Sequence, residues 1–392
     1  MLDAVRLEAG GGRLAVEVVP YGLTIHSIQC VHAGRVHDLV VGPASAAGHA
    51  SCGRQFCGAV VGRYANRLPA GTHEISPGNH ARLREWGGAG ISHHGGPLPA
   101  AAAGPKQRGP FDTVEWSVLG GGDAQYYAAH DVAAMDTHAV FAHESPHGDQ
   151  GYPGHIRIEA LVGVREDAAG RGAGVVRVEY RARLFGTDVA ATPLNMAQHW
   201  GFNLSASDPA TCGDSVDRHV VQLGARGEAL QRVAVDERGL ATGTLVPCTA
   251  ATPAHDWKGG KAIAVDIPPA GYDDFYVWGS ATARGRPVAA LHAPTGLSLS
   301  FRTNQAGVQV YTMNSAPPAQ MGTKPQHRAA GRADGYRERD GVFLEFAAPH
   351  ATFLHEEFWN MAGSDTLLRP GETYVNWVEV AVRTGDAGTG LP

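Results

Sequence analysis

The chain is short of several things that mark particular protein classes. Cysteine is scarce, with five in 392 residues (Cys30, Cys52, Cys57, Cys212 and Cys248), an odd number at irregular spacing. That pattern does not make a secreted disulfide framework and fits thiols kept in a reducing compartment, the cytoplasm. Cys52 and Cys57 have no second pair to complete a zinc site, so no metal is expected there. Lys and Arg total 32 against 38 Asp and Glu, a formal net charge of -6 with no basic stripe. Nucleic acid is therefore not an expected partner. No apolar run approaches the roughly 18 residues that would span a bilayer. The opening Met-Leu-Asp-Ala-Val-Arg-Leu-Glu lacks both the basic and the apolar region of a signal peptide, so neither a membrane nor an export route is expected. Long stretches of helical period are missing too; only 226–236 suggests a short helix.

Turns and strands fill the chain instead. Gly numbers 52 and Pro 24, which supplies turns for many short elements. Residues 13–19 and 23–28 are β-branched runs separated by Pro20 and Gly22. Ile156, Ile158 and Ala160 alternate with Arg157 and Glu159. Val176, Val178, Tyr180, Ala182 and Leu184 alternate with Arg177, Glu179, Arg181 and Arg183. A period of two predicts one buried and one wet face for each run, and the turn-like segment between them predicts a long hairpin. Leu297, Leu299 and Phe301 repeat the pattern, as do Tyr374, Asn376, Val378 and Val380. The composition and patterning predict an all-β chain, a large antiparallel β-sandwich with few short helices, forming a single domain over 1–392. Residues 97–110 and 119–137 read as insertions in surface connections.

Six polar clusters interrupt apolar or Gly-rich segments. They are Asn66-Arg67 at the end of an apolar run, His93-His94 before two glycines, and His199 in Thr192-Pro-Leu-Asn-Met-Ala-Gln-His. Asp273 follows Gly271-Tyr, Gln309 lies inside a strand, and Glu345 is a lone carboxylate in Val-Phe-Leu-Glu-Phe-Ala. Each has an ordinary reading. Arg67 suits a solvated strand end, and His199 a core histidine with its hydrogen bonds satisfied. A carboxylate inside an apolar strand is less easily dismissed. Burial without a partner is costly, and partial burial raises the pKa towards that of a useful base. A histidine titrates near neutral pH and can serve as a proton donor. A weaker idea, a metal site of His350, His355 and Glu356, gives way to a wet loop after Pro349.

Taken in order, these segments resemble the aldose 1-epimerase (galactose mutarotase) family. The resemblance rests on Gly62-Arg-Tyr-Ala-Asn-Arg67, His94-Gly-Gly, Ser145-Pro-His-Gly-Asp-Gln-Gly-Tyr-Pro-Gly154 and Thr192-Pro-Leu-Asn through His199. It continues through Gly271-Tyr-Asp273, Gln309-Val-Tyr-Thr, Leu344-Glu345 and Arg369-Pro-Gly-Glu-Thr-Tyr374, and spans roughly residues 5–383. It implies the family's β-supersandwich and a reaction that interconverts the α and β anomers of a free aldose. Glu345 would be the base on the C1 hydroxyl and His199 the acid on the ring oxygen, held apart by about a pyranose ring. His94 would bind near the ring oxygen, Arg67 and Asp273 would hold hydroxyls, and Asn66 and Gln309 would support them. No cofactor or metal is implied, the partner is a small sugar, and a monomer or weak dimer is expected. Trp200 and Trp278 read equally as stacking faces for the sugar and as core aromatics. The chain departs from the family pattern at His93, Trp200-Gly201, Asp274-Phe275 and Phe346-Ala347, all beside site residues, where sugar preference is set. Rival functions are a glycoside hydrolase with Glu345 and Asp273 paired, a hexose-phosphate epimerase using Arg63 and Arg67, and a non-catalytic sugar-binding protein.

Overall fold

A computed structural model describes residues 3–99, 109–167, 170, 172–186, 188–224, 229–278, 286–329 and 334–385. Strands dominate, and among the described residues every helix is a single short turn. The two longest strands, His155–Arg165 and Gly172–Phe185, pair antiparallel as the hairpin that the alternation predicts. They sit inside a nine-stranded sheet whose centre continues through Tyr374–Thr384, Leu297–Thr303 and Pro287–His292. A six-stranded sheet carries Gly201–Phe202, Val342–Ala347, Gly307–Tyr311, Asp273–Trp278, Leu230–Val235 and Ala241–Pro247 in that order. A four-stranded meander runs from Val5 to Asp38.

These sheets share one core. Ile156, Ile158, Val176, Val178, Phe301 and Val380 of the large sheet are buried with Leu14, Val16 and Ile28 of the meander. Val308, Val342, Leu344 and Phe346 of the six-stranded sheet join them. The sandwich follows from strand parity, because successive residues of a strand face opposite sides and each sheet must bury its apolar face.

Two expectations need correction. Residues 230–235 form a strand, not a helix, paired on both sides by Ala241–Pro247 and Asp273–Trp278. Residues 226–228 lie outside the described part. Pairing from two neighbours outweighs weak local propensity. The second correction concerns the outer face of the long hairpin, where Glu159 and Glu179 are buried rather than wet. Segment 124–132, part of the expected 119–137 insertion, folds onto that face. Glu159 accepts the backbone N–H groups of Gln125 and Tyr126, and Arg181 clamps Asp131. The insertion at 97–110 lies largely outside the described residues.

Candidate active site

The six-stranded sheet has two faces, and Glu345 lies on the one away from the main core. Val342, Leu344 and Phe346 point into that core, while Phe343, Glu345 and Ala347 take the opposite parity. Register then gathers the polar groups. Gln309 stands directly across from Glu345 and from Phe275. Asp273, two residues before Phe275, shares that face. The polar positions singled out in three distant segments are thus neighbours because three strands pair in this register.

The opposite wall is built from loops held by backbone contacts. His199 ends the short strand Ala197–Gln198, which pairs with Val60–Val61. The Gly58 N–H donates to the His199 carbonyl at 2.8 Å. Gly58 has φ of 74°, and a Cβ there would stand 2.2 Å from the Ile25 carbonyl oxygen, so only glycine fits. Asn66 and His94 both adopt left-handed backbone, at φ 66° and 46°, which is a strained state for non-glycine residues and is typical of functional positions. They brace each other. The His94 N–H donates to the Asn66 carbonyl, and the Asn66 N–H donates to His94 Nδ1 at 3.0 Å. That second bond fixes the tautomer, leaving the neutral His94 ring with its proton on Nε2. His94 is therefore a donor to whatever occupies the site.

A cleft of about 270 Å³ lies between these walls and is lined by Asn66, Arg67, His94, His199, Asp273 and Glu345. Its volume suits a monosaccharide. Of the seven residues expected to act on or hold the sugar, only Gln309 does not line it. Its amide lies behind Asp273 and donates to Asp273 Oδ1 at 2.6 Å. Arg67 holds the other oxygen of Asp273 at 2.8 Å. His199 Nε2 and Glu345 Oε1 are 3.3 Å apart, so the pair is in contact and not separated by a sugar ring. Contact is compatible with the reaction that the family resemblance implies, because the hydroxyl O1 and the ring oxygen O5 of an aldose are both bonded to C1.

Burial sets the charge of this pair. It pushes the Glu345 carboxyl up to about 8, helped by the negative charge of Asp273 and opposed by Arg67. It brings the His199 imidazole down to about 4. At neutral pH the pair therefore holds one proton between the two groups and carries no net charge.

His94, His199 and Glu345 form the one cluster with metal-ligand spacing among the described residues, their donor atoms lying within 4.8 Å of one another. The His94 tautomer argues against a cation there. Its Nδ1 lone pair is taken by Asn66, and its Nε2 carries hydrogen.

Several contributors were not foreseen. Phe56 and Phe343 pack on the His199 ring at 5.5 and 4.9 Å between centroids and line the cleft, supplying its apolar faces. Trp200 and Trp278 are core residues. Phe343 was within reach of the sequence, since it lies two residues before Glu345 and strand parity puts both on one face. Arg54 grips Asp112 through two nitrogens at 2.8 and 2.7 Å, and its guanidinium also donates to the carbonyls of Gly96 and His94. It locks the loop that presents His94. Arg63 is fully buried and takes no part in the cleft. It donates to Ser145, Pro146, Pro153 and Thr192, so the Ser145–Gly154 motif anchors this structural arginine. His350 does not sit in a wet loop; it is buried against Gln309 and Phe275.

Fold and site together define a β-supersandwich protein with a small polar cleft floored by a buried imidazole–carboxylate pair. Residues 3–381 match the family model described as aldose 1-epimerase, and the chain belongs to that family. Among curated relatives, the galactose mutarotase of Homo sapiens is 28% identical over 377 residues, covering 94% of this chain and 92% of that protein. The aldose 1-epimerase of Haemophilus influenzae is 27% identical over 335 residues, covering 83% and 80%. Among solved structures, an aldose epimerase homologue from C. elegans superposes with a TM-score of 0.75 at 19% identity, covering 98% of this chain and 99% of that one. The galactose 1-epimerase of Lactobacillus acidophilus gives 0.70 at 19% identity, covering 97% and 94%. At that identity both likenesses concern the fold.

Proposed function

We propose that the protein is a mutarotase that interconverts the α and β anomers of a free aldohexose such as glucose or galactose. One observation carries the reading: His199 and Glu345 are buried and in contact, 3.3 Å apart, at the floor of a sugar-sized cleft. Ring opening removes a proton from O1 and adds one to O5. With Glu345 as carboxylate and His199 as imidazolium, Glu345 takes the O1 proton and His199 gives its Nε2 proton to O5. The C1–O5 bond breaks as the C1=O bond forms. The pair is then a carboxylic acid and a neutral imidazole, the form that burial favours. Rotation about C1–C2 turns the other face of the aldehyde to the C5 hydroxyl. Closure returns each proton by the reverse path, so the pair ends as it began and no net proton is exchanged with water. Each positioned acid or base of this kind is typically worth about 10²–10⁴ in rate.

The rest of the cleft suits a neutral sugar. His94 offers Nε2–H, Asp273 offers acceptor lone pairs, and Arg67 offers donors. Phosphate on the sugar has less support. Arg63 is committed to buried carbonyls, Arg54 to Asp112, and Arg67 to Asp273. Both oxygens of Asp273 are engaged by Arg67 and Gln309, which suits a binding carboxylate better than half of a glycosidase pair. The core shared by three sheets and the family match over 3–381 support one domain. No helix of the described residues is long and apolar enough to cross a membrane. A cytoplasmic location is proposed from the cysteine usage.

Polarimetry on freshly dissolved α-D-glucose and α-D-galactose tests the reading. The protein should speed the approach to equilibrium above buffer, and Glu345→Gln should match buffer. A wild-type trace that coincides with buffer for both sugars would reject free hexoses as substrates.

A further inference from the structure

We propose that His350 is a positioning residue that orients the sugar-binding carboxylate Asp273 through the amide of Gln309. The proposal rests on the mutarotase reading for its kinetic consequence, but not for its geometry.

A glutamine amide has nearly the same shape in either orientation, so its partners decide which end points where. Asp273 Oδ1 can only accept, and the Gln309 nitrogen lies 2.6 Å from it. The Gln309 oxygen must then meet a donor. The atom at that place is His350 Nε2, at 3.0 Å. His350 therefore carries its proton on Nε2 and leaves a lone pair on Nδ1. That Nδ1 is buried without a hydrogen-bond partner. Leaving a buried nitrogen unpaired disfavours folding, and a residue serving only to pack against Phe275 at 4.9 Å would have no need of one.

The chain of bonds has a direction. His350 donates to Gln309, Gln309 donates to Asp273 Oδ1, and Arg67 donates to Asp273 Oδ2. The carboxylate is held from both sides, and its remaining lone pairs are left to the cleft. Without the His350 donor, the Gln309 oxygen loses its buried partner and the amide is tethered at one end only. The carboxylate is then held less firmly between Gln309 and Arg67. Gln309 is thus the link, and His350 the group that anchors its far end.

The experiment compares His350→Leu, His350→Gln and Gln309→Leu with the double variant His350→Leu/Gln309→Leu. Polarimetric KM and kcat are measured on α-D-glucose and α-D-galactose. His350→Leu should raise KM by about tenfold with kcat little changed, the effect of one lost hydrogen bond to a charged group's partner. His350→Gln keeps an N–H donor and should recover most of that loss. In the Gln309→Leu background, His350→Leu should add nothing. Equal losses in both backgrounds, or Leu and Gln variants that behave alike, would overturn the proposal. Nitrogen-15 NMR of the ring decides the tautomer whether or not the protein turns over sugar. Protonated Nε2 with bare Nδ1 is expected, and protonation at Nδ1 would refute the assignment. If wild type shows no mutarotation but the tautomer holds and the Gln309 amide signals move in His350→Leu, the functional reading fails and the positioning role stands.

Discussion

His199 Nε2 lies 3.3 Å from Glu345 Oε1, with both side chains inside the protein. They come from segments nearly 150 residues apart, one on a loop end and the other in the middle of a sheet. Contact makes them a single titrating unit, whose apparent pKa values belong to the pair.

The pH dependence follows from that unit. Between about 4 and about 8 the pair holds one proton, the count the reaction needs. Below that window it gains a second proton and loses its base; above it the pair loses its proton and with it the acid. The catalysed rate, corrected for buffer, should trace a broad plateau with falling limbs on both sides. A single limb centred near the ordinary histidine value would show that His199 titrates alone.

Replacing either partner should remove the proton exchange. Glu345→Gln and His199→Asn should each lose about 10²–10⁴ in rate while circular dichroism stays unchanged. The double variant should be little worse than either single one, since the two groups act as a unit. Rates that multiply on combination would mean that the groups act independently.

Glu345 should also leave its mark on stability. Its folded-state pKa, about 8, is raised above the ordinary 4.5. The stabilisation linked to protonation is complete below 4.5 and is lost as pH rises through 8. Glu345→Gln has no such loss. It should therefore gain on wild type from pH 5 to pH 9, by on the order of a few kcal/mol. Urea unfolding at the two pH values measures this. A constant difference would mean that the carboxyl is not penalised by burial.

Two arginines of one motif should respond differently. Arg63→Met strips donors from several buried carbonyls and should destabilise the fold by about 3–5 kcal/mol, since each buried acceptor left unpaired costs roughly 1–3 kcal/mol. Arg67→Met should leave stability nearly unchanged and raise KM by about tenfold, because its partner Asp273 lies at the half-exposed rim. Thermal unfolding and polarimetric KM separate the two. A rise in KM for Arg63→Met in protein that remains folded would mean that Arg63 shapes the sugar cleft as well as the core.

Strand parity made much of this legible in the sequence. The alternation at 155–164 and 175–184 determined the hairpin and its inner face. The lone carboxylate of Glu345 and the polar breaks at His199, Asp273 and Asn66-Arg67 marked the lining of the cleft. These signals are local, because a two-residue period and an ill-placed charge are visible without knowing any partner. Tertiary structure alone decided the rest. Register set Gln309 opposite Glu345 but behind Asp273. Packing gave Arg63 to the core and left Arg67 to the cleft, although the two lie four residues apart in one motif. Segment 124–132 covered Glu159, so a face patterned as wet became dry. His350 was drawn from an apparent loop into contact with Gln309. In each case the deciding quantity is which groups meet across long sequence separations. That fixes burial, hydrogen-bond direction and protonation, and none of the three is carried by a residue and its neighbours in the chain.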